Sequence, residues 1–301
     1  MTKVSVVINT LNEEKNLPRA LLSVKDFADE VVVVDMFSED ETVKIAKDSK
    51  AKVYSHKKTG YVEPARNYAI QKAGGDWIFI LDADEEMTTG LKKTLKKIIK
   101  NPTADYFRVP RKNIIFSKWI KHSRWWPDYN IRFFRKGFVS WNEVIHSVPM
   151  TKGKGLDLEA SEENAIVHHN YESIEQYINR TNRYSSIQAK DLVDKGYKFD
   201  WKDLIQKPSS EFLSRYFQAE GYKDGVHGLA LSLLQAFSEL AVYLKTWLIV
   251  KKDPENVKIN VKDVVGEMKE VQSNLNYWQA DALFKYGGGL KQKIKRKLKI
   301  R

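Results

Sequence analysis

The stretch Trp77-Ile78-Phe79-Ile80-Leu81-Asp82-Ala83-Asp84-Glu85-Glu86 decides the fold. Its apolar half reads as a buried strand, and its acidic half places two carboxylates, Asp82 and Asp84, at the strand's carboxyl end with i, i+2 spacing. Once the strand turns, both can converge on one cation. Mg²⁺ or Mn²⁺ takes hard oxygen ligands, commonly one or two carboxylates completed by substrate phosphate and water, which would suit a nucleotide diphosphate. Acidic residues after a strand also cap helices or face water. Spacing alone leaves these two readings even.

Outward from this stretch, the first hundred residues alternate short β-branched runs with helical patterns. The runs are Val4 to Ile8, Val31 to Asp35, Ala51 to Tyr54 and Trp77 to Asp82; the helical patterns are Leu17 to Val24, Glu41 to Asp48 and Pro64 to Ala73. Pro64 suits a first helical turn and Gly74-Gly75 a stop. This is the signature of βαβ units around a mainly parallel sheet, whose carboxyl edge collects ligands. From Ala104 to Met150 the texture turns aromatic and basic, with strands expected at Tyr106 to Pro110 and Tyr129 to Arg135, as the second half of the same domain. Tyr171 to Val193 reads as a polar helix. Glu211 to Phe217 and Leu229 to Val250 read as a helical pair, the second with Leu233, Phe237, Leu240, Ala241, Leu244, Trp247 and Leu248 in an apolar stripe.

The chain has 301 residues, 42% of them hydrophobic, enough to bury a substantial core. Its formal charge of +12 favours anionic partners, and residues 288–301 contribute seven basic side chains without an acid. With no cysteine, disulfides, thiolate metal sites and cysteine nucleophiles are excluded. The N-terminal apolar run is too short for a signal peptide, and no window offers 18 uninterrupted apolar residues, so neither a leader nor a spanning helix is expected.

No Gly-x-Gly-x-x-Gly follows the first strand, where the sequence is Ile8-Asn9-Thr10-Leu11-Asn12-Glu13-Glu14, and no Walker A pattern occurs. A nucleotide must therefore be held differently. Val4 to Glu13, Val31 to Asp35, Ala65-Arg66-Asn67 and Leu81 to Glu85 resemble, in order, the nucleotide-sugar motifs of family 2 glycosyltransferases with the GT-A fold. Pro127-Asp128-Tyr129-Asn130-Ile131-Arg132-Phe133-Phe134-Arg135-Lys136 and Phe212 to Trp247 extend the resemblance to the bacterial branch that includes lipopolysaccharide core β-glucosyltransferases.

The resemblance implies an α/β GT-A fold, a mixed sheet flanked by helices. It implies that Thr10, Asn12 and Glu13 line a uridine pocket, that Asp35 contacts base or ribose, and that Arg66 reaches the diphosphate with paired N–H donors. Asp82 would contact ribose or metal and Asp84 the metal, a divalent Mg²⁺ or Mn²⁺ bridging the diphosphate of a UDP-sugar. In Trp141-Asn142-Glu143-Val144-Ile145-His146-Ser147, serine stands where the branch carries a glutamate; His146 matches the family histidine and is a candidate metal ligand. Inverting transfer needs a base for the acceptor hydroxyl, and Glu143 and Asp128 are the candidates. Trp125 and Trp126 suit core packing more than sugar stacking. His168 and His169, without a carboxylate at recognisable metal spacing, read as structural.

The expected organisation is a GT-A domain over 1–210, an amphipathic helical segment over 211–286 and a basic tail over 287–301. The last two suit the anionic inner face of a membrane, so the protein is expected to be cytoplasmic and peripheral. No nucleic-acid recognition element accompanies the charge. The expected activity is metal-dependent, inverting transfer of a hexose to a hydroxyl of a glycan or glycolipid such as lipopolysaccharide core. A polyprenyl-phosphate acceptor, or a non-enzymatic protein binding anionic lipid or nucleic acid, are the alternatives.

Overall fold

In the computed structural model, residues 2–57, 63–141, 149–250, 259–287, 289, 292 and 294–296 are described. The elements in chain order are β1 (Val4–Thr10), α1 (Leu17–Val24), β2 (Glu30–Asp35), α2 (Thr42–Asp48), β3 (Lys52–Ser55), α3 (Glu63–Lys72), β4 (Trp77–Ile80), β5 (Glu85–Met87), α4 (Thr89–Lys100), β6 (Tyr106–Ile115), β7 (Lys118–Trp119), β8 (Asp128–Arg135), β9 (Val139–Ser140), β10 (Met150–Thr151), β11 (Gly155–Asp157) and β12 (Ile166–Tyr171). They are followed by α5 (Ile174–Asp194), α6 (Asp203–Leu213), a π-helical turn (Ser214–Gln218), a 3₁₀ turn (Gly221–Asp224), α7 (Val226–Val250) and α8 (Val261–Lys285).

The chain forms two compact units, one from residues 1–114 and 126–170, the other from 115–125 and 171–301. The boundary expected at residue 210 falls inside α6, whereas the chain passes into the second unit at the end of β12. The reason lies in packing: α5 packs against α7.

In the first unit the strands run β3-β2-β1-β4-β8-β6-β12-β5. The first four are parallel, and β8 pairs antiparallel with both β4 and β6. Every residue of β1 and β4 is buried, as strands covered on both faces must be. Val4, Val6, Ile8 and Phe79 face one layer with Leu17, Leu21, Leu91 and Leu95 from α1 and α4. Val7, Val32, Ile78 and Ile80 face the other, with Ala65, Ala69 and Ile70 from α3. The aromatic region joins the same core, Trp77 stacking on Phe133 with ring centroids 4.6 Å apart. Because α1 and α2 carry the chain to one side of β1 while β4 lies on the other, the strand order reverses at β1/β4. Such a reversal leaves a crevice beyond the strands' carboxyl ends. Among the strands that escaped sequence reading are β5, only three residues long, and β12, which pairs with it antiparallel.

In the second unit, α7 packs against α5 and α6, and α6 also meets α8. A Cβ on Gly228 would stand 1.8 Å from the Gly221 carbonyl oxygen, so only glycine lets α7 start this close to the preceding turn. Val226–Val250 is long and apolar enough to cross a membrane, by length and composition. The sequence expectation of no such helix rested on its scattered polar residues, and these gather on one side, as described below.

Candidate active site

The polar residues at the carboxyl ends of β1, β2 and β4 come together at the β1/β4 reversal. Asp35, at the end of β2, is buried and accepts hydrogen bonds from the Thr10 hydroxyl (3.1 Å), the Ser38 hydroxyl (2.5 Å) and the Ser38 backbone N–H (2.9 Å). The loops after β1 and β2 are tied to each other: Asn12 N–H donates to Ser38 Oγ (2.8 Å), Glu39 N–H to Asn12 Oδ1 (2.8 Å) and Glu13 N–H to Thr42 Oγ1 (2.8 Å). Asn12 adopts φ of 57°, a left-handed conformation that asparagine tolerates better than most residues. Asn12 thus shapes the wall, while Asp35 and Thr10 stand inside it.

The two aspartates after β4 have different surroundings. Asp82 receives Arg66 Nη2 at 3.0 Å on one oxygen and Arg132 Nη2 at 2.6 Å on the other. Arg132, from β8, is almost wholly buried and also reaches Glu85 Oε1 at 2.6 Å, and Glu85 Oε2 accepts the Asp82 backbone N–H at 2.9 Å. Burial alone would push the Asp82 carboxyl up, but the Arg132 and Arg66 guanidiniums outweigh it and hold the carboxyl well below the ordinary range. Burial likewise works against the Arg132 charge, and Asp82 and Glu85 more than restore it. Asp82 is therefore an ionised anchor already saturated by guanidinium.

Asp84 lies against His168 Nε2 at 3.4 Å, and its backbone carbonyl accepts the His169 N–H at 2.9 Å. His168 Nδ1 meets Asn113 Oδ1 at 2.6 Å; an amide oxygen only accepts, so Nδ1 carries the proton. Asn113 in turn donates to Asp128 Oδ2 at 3.2 Å. His169 Nε2 meets Glu86 Oε1 at 2.6 Å, and Arg19 Nε stands 3.1 Å from the same oxygen. Sequence spacing offered neither histidine a carboxylate, and the structure supplies one to each from a distant segment. Their partners, Asp84 in the β4–β5 turn and Glu86 in β5, are some 80 residues away, and the pairing of β5 with β12 brings them together.

Asp128, expected as one candidate base, is held by Arg111 through Nη2 (2.6 Å) and Nε (2.9 Å), by Asn113, and by Asn130 on its other oxygen (3.1 Å). Burial would raise its pKa, but Arg111 and the Asn113 hydrogen bond lower it overall. A carboxylate so stabilised in its ionised form is a weak proton acceptor. Glu143 and His146 lie outside the described residues. Asn67 closes the far side, bonding both the carbonyl (2.5 Å) and the N–H (2.9 Å) of Trp141, over which Arg66 sits at 5.7 Å from the ring centroid.

Among the described residues, no group of three or more His, Asp or Glu could by itself hold a metal ion. The donor chemistry still fits a hard cation that takes most of its ligands from phosphate and water. Glu13 is the indicator: burial first, then the charges of Asp84, Asp82 and Asp40, push its carboxyl up to about 7 against the lowering effect of Asn16. Burial is the larger cause and the nearby carboxylates add to it, so a divalent cation beside them would offset only their share.

Residues 5–153 match the family described as glycosyl transferase family 2. An uncharacterized glycosyltransferase of Rickettsia typhi is 36% identical over 247 residues, covering 79% of this chain and 84% of its own. The chain belongs to glycosyltransferase family 2. The enzyme is also 25% identical over 277 residues to the lipopolysaccharide core biosynthesis glycosyltransferase LpsC of Rhizobium meliloti, covering 87% of this chain and 97% of that protein. The crystal structure of S. aureus TarS aligns over 92% of the enzyme and 80% of its own chain, with a TM-score of 0.41 and 15% identity.

The state of Glu13 makes the enzyme's stability depend on pH. Its folded pKa lies above its ordinary value of 4.5, so the folded state keeps the proton longer than the unfolded chain. Stability attributable to this group is complete below pH 4.5 and is lost as pH rises toward and through about 7. Glu13→Gln is expected to flatten that decline, raising Tm at pH 8 while leaving it little changed at pH 4.5. Thermal unfolding across this range checks the sign, and an unchanged slope in the variant would show that Glu13 is not the group responsible.

Proposed function

We propose that the enzyme moves a hexose from a UDP-sugar, with inversion, to a hydroxyl of a glycan or glycolipid acceptor presented at the cytoplasmic membrane surface. The observation that carries this reading is the meeting, at one strand-order reversal, of a buried Asp35, an Arg66 paired with Asp82, and an Asp84 backed by His168. Asp35 accepts hydrogen bonds from the base or ribose, and Thr10, which donates to Asp35, holds it in place. Arg66 exchanges its ion pair with Asp82 for the diphosphate, and Arg132 keeps Asp82 compensated when it does. Asp84, with His146, would hold a Mg²⁺ or Mn²⁺ ion whose contribution is Lewis-acid stabilisation of the departing diphosphate. The acceptor oxygen bonds to the anomeric carbon as the carbon–oxygen bond to the diphosphate breaks, and Glu143 takes the hydroxyl proton. Similarity to LpsC along nearly its whole length supports lipopolysaccharide core as the acceptor class.

The engagement of Asp128 by Arg111 favours one second reading, in which the acceptor is a polyprenyl phosphate already ionised and needing no base. Turnover that survives Glu143→Gln would support it. The primary test is donor hydrolysis with a panel of UDP- and GDP-sugars in Mg²⁺ or Mn²⁺. At least one UDP-sugar should release UDP, and a chelator should stop the release. An inert panel, together with no thermal shift on adding UDP and Mn²⁺, would remove the catalytic reading.

A further inference from the structure

Among its described side chains, every exposed residue of α7 is apolar. From Val226 through Leu229, Leu233, Phe237 and Leu244 to Leu248 they follow helical spacing along the outward side. The inward side carries the helix's polar groups, beside the buried Leu231 and Val242. Ser232 and Thr246 are buried there, Gln235 donates to the Tyr177 hydroxyl at 2.7 Å, and Lys245 Nζ bonds Asn182 Oδ1 (2.7 Å), Ser185 Oγ (2.8 Å) and Ser186 Oγ (2.8 Å) on α5. A helix in water turns its apolar stripe to the core and its polar face outward. Polar groups turned to protein with apolar groups turned away is the arrangement of a helix whose outer surroundings are lipid.

The helix lies along such a surface rather than across it. Its other face is covered by α5, whose Arg180, Arg183, Lys190 and Asp191 could not be surrounded by hydrocarbon. The sign of the surface follows from charge. Residues 171–287, which include α7, balance at 16 Lys and Arg against 16 Asp and Glu, and the positive excess of this unit comes in sequence from three basic residues in 115–125 and seven in 288–301, neither with an acid. Lys223, paired with Glu220 at 2.6 Å, stands just before α7, and Lys251 and Lys252 follow α7 in sequence. Basic residues beside an apolar stripe fit anionic headgroups.

We infer that the outward face of α7 docks the enzyme on an anionic phospholipid bilayer, with the stripe seated at the boundary of headgroups and acyl chains. This goes beyond the sequence expectation of a membrane-facing C-terminal segment: it assigns the contact to one face of one helix and is independent of the catalytic reading.

The experiment is flotation of the full chain with vesicles of phosphatidylcholine and phosphatidylglycerol in about a 7:3 ratio, compared with phosphatidylcholine alone. The wild type should float with the anionic vesicles and far less with the neutral ones. The triple variant Leu233→Glu, Phe237→Glu, Leu248→Glu should lose at least about tenfold in partitioning. These side chains are exposed, and an unchanged far-ultraviolet spectrum and Tm would confirm that the variant folds. Equal flotation of variant and wild type, or equal binding to both vesicle types, would overturn the inference. So would a wild-type dimer in vesicle-free sedimentation that the variant dissolves while neither binds vesicles, since the stripe would then cover a second copy. UDP-sugar hydrolysis without vesicles separates the two conclusions. A wild type that floats but hydrolyses nothing leaves docking intact and removes the proposed reaction.

Discussion

Replacing Asp84 with alanine is expected to lower UDP-sugar turnover about a thousandfold and to abolish its dependence on divalent cation. The magnitude follows from losing the several kcal/mol that a Lewis acid contributes to the departing charge, at about 1.4 kcal/mol per decade of rate. Asp84→Ala should leave the fold almost unchanged, because its carboxylate is partly exposed and the backbone bond from His169 remains. Asp82→Asn is the contrasting variant. It removes the counter-charge of two arginines, so it should disturb both stability and donor affinity. Steady-state release of UDP over a Mn²⁺ titration distinguishes the two. If Asp84→Ala retains cation-dependent turnover, the ion is held elsewhere and the proposed division of labour between the aspartates fails.

Arg132→Met should be the most destabilising single change at the site, costing about 3–5 kcal/mol, as expected when one partner of a buried charge group is removed. Among the described residues, Glu85, fully buried, would keep Arg111 at 3.5 Å and the Asp82 N–H, and its charge would be left largely uncompensated. Adding Glu85→Gln to Arg132→Met removes the uncompensated charge and should recover part of the loss. Urea denaturation of the wild type, the single variant and the double variant checks this. A double variant no more stable than the single one would assign Arg132 to packing alone.

These two residues show how unevenly the site could be read from sequence. Asp84 stands out because a strand of five apolar residues ending in two acids is a local pattern, visible within ten positions. Arg132 sits in a quoted motif but carries no local signal for its role beyond being a charge inside an otherwise apolar strand, Ile131-Arg132-Phe133-Phe134. Its partners, Asp82 and Glu85, are some 50 residues earlier and meet it only because β8 enters the sheet antiparallel beside β4. His168 is the sharper case. Nothing near it in sequence is acidic at useful spacing, and its approach to Asp84 depends on two strands, β5 and β12, too short or too polar for periodicity to reveal.

α7 gives the complementary lesson. Its apolar spacing identified a helix and a stripe, but periodicity reports only that one side differs from the other, not which side meets the protein. α5 makes that choice, through the hydrogen bonds of Lys245 and Gln235, and leaves the stripe outside. What the sequence determined alone was the order of the βαβ units, the central strands and the acids at their carboxyl edge, because each depends on residues close together in the chain. Tertiary structure decided which charge compensates which, that Asp82 and Asp84 differ in their surroundings, and which face of α7 looks outward, because these depend on distances between segments that no local pattern encodes.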